Sequence, residues 1–135
     1  MSKGNATEND IIKFIFQNVA MPSYGSNLYL SLHTADPGEG GDQTTNEASY
    51  ASYARIAVAR DNTGWTVSGS LSSNAALLQF PQCTGGSNTI THIAIGTLSS
   101  GAGQILYSGA LNAPLSVSNL IQPQFAIGDL DITED

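Results

Sequence analysis

Cysteine and positive charge are what this chain has least of. Cys83 is its single cysteine, which excludes an intrachain disulfide framework and a cysteine-based zinc site. Its four cations, Lys3, Lys13, Arg55 and Arg60, stand against eleven acidic residues, for a formal net charge of −7. That balance provides no basic face to neutralise phosphates, so no nucleic-acid partner is expected. No apolar run approaches the roughly 18 residues that a membrane span needs, and the polar start Met1 to Asp10 does not read as a signal peptide, so a soluble protein with no membrane partner is expected. Also missing are a Gly-x-Gly-x-x-Gly turn, a phosphate loop, a Gly-x-Ser-x-Gly elbow and paired cysteines. An enzyme needs converging titratable groups, and with two histidines in the whole chain no catalytic residue, metal or cofactor is expected.

What the chain does have is glycine, serine, threonine and asparagine between short apolar runs, the balance of strands joined by turns rather than of helices. Its 135 residues suit one domain, 1–135, able to bury a core without staples. The organising stretch runs from Asn27 to Arg60. Leu28, Leu30 and Leu32 fall on one side of an extended chain and Tyr29, Ser31 and His33 on the other, the pattern of a half-buried strand. Ala54, Ile56 and Val58 repeat the alternation against Tyr53, Arg55 and Ala57. The polar loop between them, with Asp36-Pro37-Gly38 as turn chemistry, is long enough to be functional or mobile.

Residues 1–6 read as a flexible arm, followed by a helix over about residues 7–20 opened by an Asn5–Glu8 or Thr7–Asp10 capping box and closed before Pro22. Ile11, Phe14, Ile15 and Val19 recur at helical spacing, widened by Ile12 and Phe16. So wide an apolar face on so short a helix must dock, either on the end of this chain's own sheet or on a neighbouring subunit.

Further strands are expected at Trp65–Ser68, at Ser72–Phe80 as a central strand, at Thr89–Gly96, at Gln104–Leu111 with Gly109 as a bulge, near Leu115–Val117, and from Pro123 at a sheet edge to Ile132. About seven to eight strands at this spacing predict an all-β fold, a β-sandwich or jelly-roll-like arrangement with one short N-terminal helix.

Four groups of residues could carry chemistry. His33 and His92 with a carboxylate would suit a metal, but strand histidines beside threonines suit hydrogen-bonded packing better. Cys83 with a histidine would make a nucleophile and base, yet its neighbours Gln82, Thr84 and two glycines offer nothing to activate a thiol. Asp36, Glu39, Asp42 and Glu47 lack the spacing of a calcium loop and read as a solvated loop; Asp129, Asp131, Glu134 and Asp135 read as an acidic C-terminus.

Several segments in order, Leu28 to Gly38, Tyr53-Ala54-Arg55, Thr91 to Ile95, Ile105 to Leu111 and Ala126 to Thr133, resemble a family of small tailed-bacteriophage virion proteins described as tail-fibre or as head decoration or cement proteins. The resemblance runs from about residue 10 through most of the chain, departing at Cys83-Thr84-Gly85-Gly86, where the family more often has an aromatic residue. It implies a non-enzymatic virion protein. Together with the short length and acidic charge it leads to the expectation of a head decoration protein on the outside of the capsid, made in the host cytoplasm. Its expected partners are the major capsid protein, through Ile11, Phe14 and Ile15, and itself, as a homotrimer or dimer. The alternative is a tail-fibre or receptor-binding module.

Overall fold

The computed structural model describes residues 1–134. Ten strands and one helix follow one another as β1 (Ser2–Lys3), α1 (Asn5–Gln17), β2 (Asn27–His33), β3 (Ile56–Ala59), β4 (Trp65–Ser68), β5 (Leu71–Asn74), β6 (Leu78–Gln79), β7 (Asn88–Gly96), β8 (Ile105–Val117), β9 (Gln124–Phe125) and β10 (Asp131–Thr133). The fold is all-β with a short N-terminal helix. A five-stranded sheet has the order β1-β8-β7-β2-β3, a three-stranded sheet the order β10-β5-β4, and β6 pairs with β9; every pairing is antiparallel.

The alternation in β2 does what period-two patterning should. Leu30 and Leu32 point into the core opposite Ile95 and Ile93, their cross-strand partners on β7. Against this wall pack Leu78 and Phe80, with Leu130 and Ile132, from the smaller sheets and their connections. Phe80 meets Phe125 edge to face at 6.2 Å between ring centroids, and Trp65 packs partly buried against the same cluster.

Several expectations are corrected. The arm is not free: Ser2 and Lys3 pair with Ser108 and Tyr107, and Gly4 donates its N–H to the Leu106 carbonyl at 3.0 Å. A Cβ at Gly4 would sit 2.3 Å from the Ile105 carbonyl oxygen, so only glycine lets the arm lie this close. Gly4 is also the N-cap of α1, which has no side-chain cap and stops at Asn18 in the left-handed conformation rather than near Pro22. Thr7, expected as a cap, is buried and donates its hydroxyl to the Ile105 carbonyl at 3.2 Å.

Ser72–Phe80 is not one central strand. The chain turns at Asn74, whose buried carboxamide donates to the Ala76 and Ala126 carbonyls at 2.8 and 2.9 Å and accepts the Leu130 N–H at 2.9 Å. That side chain satisfies the backbone groups a turn leaves without a ladder, and so splits the run into β5 and β6. The two strands expected at 104–111 and 115–117 are one, β8. Its irregularities lie not at Gly109 but at two register shifts, one between Ile95 and Gly96 and one where Ile90 pairs with Leu115 and His92 with Ala110, so that Leu111 to Pro114 bulge from the ladder.

Candidate functional site

The long loop after β2 closes over the outer face of the large sheet. Thr34 N–H bonds to the Asn46 carbonyl at 2.8 Å and Ala48 N–H to the Leu32 carbonyl at 2.8 Å, tying the loop at its neck. Gln43, fully buried, donates through Nε2 to the Tyr29 carbonyl at 3.2 Å and accepts the Leu98 N–H at 3.0 Å. A Cβ at Gly96 would lie 2.0 Å from the Gln43 Cδ, so this glycine is the floor on which Gln43 rests. Glu47 holds the neighbouring corner: it accepts Arg55 Nε at 2.7 Å, Arg55 Nη2 at 2.9 Å and the Tyr53 hydroxyl at 2.8 Å. The same guanidinium donates to the Leu98 and Gly101 carbonyls at 2.9 and 2.7 Å, clamping the 97–103 loop beside the first.

This cover decides the histidines. His33 and His92 are opposite each other on β2 and β7. His33 is fully buried, with Nδ1 2.8 Å from the Thr45 carbonyl and Nε2 2.8 Å from the Ser31 hydroxyl. A carbonyl only accepts, so Nδ1 carries the proton and the Nε2 lone pair takes the Ser31 hydroxyl hydrogen. Burial keeps the ring neutral by lowering its pKa, against smaller opposing contributions from the Thr45 carbonyl and Glu47. With both nitrogens used, His33 has no lone pair for a metal. His92 Nδ1 lies 2.8 Å from the Thr91 hydroxyl.

The carboxylates do not converge either. Asp36 accepts the Gly38 N–H and Asp42 the Thr44 N–H, both at 2.8 Å, as local turns, while Glu47 is committed to Arg55. An open cleft of about 1100 Å³ brings Asp36, Glu39, His92, Asp129 and Asp131 along its walls. Among the described residues, no group of three or more His, Cys, Asp or Glu side chains is placed to hold a metal ion. Cys83 is buried and its thiol donates to the Gly85 carbonyl at 3.2 Å. No described helix is long and apolar enough to cross a membrane.

The structure leaves uncovered what the sequence marks as apolar. Among the described residues, helix α1 is held at its root, where Thr7 bonds to β8 and Gln104 Nε2 donates to Thr7 Oγ1 and Asp10 Oδ2 at 3.0 and 3.1 Å. Beyond that turn Phe14, Ile15 and Phe16 are 55, 61 and 79% exposed, with Ile12 and Val19 exposed too and Ile11 half-buried. At about 100° per residue these side chains span roughly 200° of the circumference. Taking roughly 200 Å² for a large apolar side chain, the five exposed ones leave on the order of 600 Å² in water, the upper end of what a monomer's largest apolar patch covers. Of the two alternatives for this face, packing on the chain's own sheet is therefore not what occurs.

A second apolar surface, which the sequence did not signal, is concave. An open groove of about 650 Å³ lies between the β4–β5 hairpin and the large sheet. Ile95, Leu106 and Ile132, all core residues, form its floor, and Trp65, Val67 and Tyr107 line its walls. It was invisible in sequence because its lining comes from six strands spread along the chain, β2, β4, β5, β7, β8 and β10. The Tyr107 hydroxyl is held by Glu134, which also pairs with Lys3, and burial raises the Tyr107 pKa.

Comparison with curated proteins returns no match. Comparison with protein families matches residues 2–133, nearly the whole chain, to one family, and on that match the chain belongs to the bacteriophage virion family described as Podophage GP4 fiber I protein gp80.

Proposed function

We propose that this protein is a non-enzymatic, fibre-type structural subunit of a phage virion that is joined to its neighbours through α1. The observation that carries this is the helix itself: Ile12, Phe14, Ile15 and Phe16 crowd into two turns beside the half-buried Ile11 and are more than half exposed among the described residues. A helix apolar over so much of its girth leaves apolar area in water until another surface closes over it. Catalysis has no comparable support, since the titratable groups are either spent in internal hydrogen bonds or spread along an open cleft.

A second reading is head decoration, in which Ile11, Phe14 and Ile15 dock on the major capsid protein and stabilise the shell from outside. The charge of −7 favours an outer position, because packaged DNA repels an acidic protein. The family description speaks for a fibre. Gold labelling of this protein on intact particles separates the two. Label confined to the tail or its fibres is the expected result; label spread over the head, with particles lacking the protein releasing DNA at lower temperature, would replace the fibre reading by decoration. A particle that carries no label at all would overturn both.

A further inference from the structure

The two uncovered apolar surfaces of this chain have opposite shapes, one a convex helix and the other a concave groove. We propose that they are partners: α1 of one copy lies in the Trp65–Tyr107 groove of the next, so that subunits join head to tail. This rests on the reading of α1 as the joining element and names what it joins.

Shape favours the groove over a flat contact. An apolar arc of roughly 200° is wider than one flat neighbour covers, and a groove with two walls and a floor closes around it. The floor is made of core residues, Ile95, Leu106 and Ile132, so an inserted Phe or Ile would extend the core outward between the two layers. Val67 at 72% and Leu71 at 38% exposure stand at the groove, positioned to meet such an insert.

The chain does not fill its own groove. The root of α1 is tied toward the covered side of the sheet, Asn5 N–H donating to the Glu39 carbonyl at 2.9 Å, whereas the groove opens on the core side. The open area of the helix is also on the scale that an interface needs. A helix leaving on the order of 600 Å² open supplies most of the roughly 800 Å² that a stable interface buries on each partner. Each copy offers one helix and one groove, so contacts propagate from copy to copy and close into a ring where the rotation permits, as in a trimer.

The test is sedimentation velocity on three proteins: the wild type, a helix variant (Ile15→Asp) and a groove variant (Val67→Arg with Leu71→Arg). The replaced side chains are all exposed, and a melting curve verifies that each variant folds. The wild type should associate and each variant alone should do so about a hundredfold more weakly. An equimolar mixture of the two variants should recover a heterodimer, because one then supplies an intact groove and the other an intact helix. Groove variants that assemble like the wild type, a mixture that stays monomeric, or a wild type monomeric at every concentration would each overturn the proposal. In the last case, α1-dependent attachment of the monomer to particles lacking the protein would leave the proposed function standing while removing this inference.

Discussion

The sheet face under the 34–49 loop and the surface of α1 are opposites. The first is built from Ser31 and His33 on the sheet and closed by Gln43 of the loop, polar residues that are wholly buried. The second is built from Ile12, Phe14, Ile15 and Phe16, apolar residues that are more than half exposed. Burial here follows whether the same chain supplies a cover, not the polarity of the segment. The polar face can be closed internally because each buried group finds a hydrogen-bond partner within the chain: His33 donates to the Thr45 carbonyl and accepts the Ser31 hydroxyl, and Gln43 donates to the Tyr29 carbonyl and accepts the Leu98 N–H. The apolar helix asks for area rather than for particular partners, so any complementary surface can close it, including one on another molecule.

The largest expected effect comes from opening the closed side. Arg55→Ala leaves Glu47 and the Tyr53 hydroxyl beneath the loop without their cation, and the replaced side chain is only 3% exposed. Removing one partner of such a pair should cost about 3 kcal/mol, read as a lower urea midpoint at unchanged slope. A loss below about 1 kcal/mol would mean that the loop is not locked by this clamp.

A smaller effect is expected from acid. Burial lowers the His33 pKa beneath its ordinary 6.5. The unfolded chain therefore binds a proton at a higher pH than the folded one does. Stability from this group is fully present above pH 6.5 and is lost as pH falls from there toward the folded value. His33→Gln should flatten the melting temperature between pH 7 and the onset of carboxylate titration, and a wild-type curve already flat in that window would contradict the buried neutral ring.

The smallest effect on stability belongs to the open side. In the isolated monomer, Phe16→Ser removes a side chain that is 79% exposed, so the unfolding free energy should move by no more than about 0.5 kcal/mol. A loss of several kcal/mol would show that α1 is packed within its own chain after all.

The same contrast marks what the sequence could reveal. Periodicity found β2, β4, β7 and the helix, because Leu30, Leu32, Ile93 and Ile95 alternate and Ile11, Phe14, Ile15 and Val19 recur at the helical period. It could not find the cover on this face, since Thr45 reaches His33 and Gln43 reaches the Tyr29 carbonyl through a fold of the chain rather than through spacing. Asn74, a polar residue in an otherwise uniform run, decides the break between β5 and β6 by bonds to residues as far away as Ala126 and Leu130. The apolar helix face was legible in sequence, and the groove assembled from Trp65, Ile95, Tyr107 and Ile132 was not.

The central claim is that α1 is covered in the assembled virion and bare in the free subunit. Hydroxyl-radical footprinting of Phe14 and Phe16, in the isolated monomer and in intact particles, measures this directly. Oxidation of both rings should fall sharply on assembly relative to their rates in the monomer. Equal oxidation of Phe14 and Phe16 in particle and monomer would contradict the account.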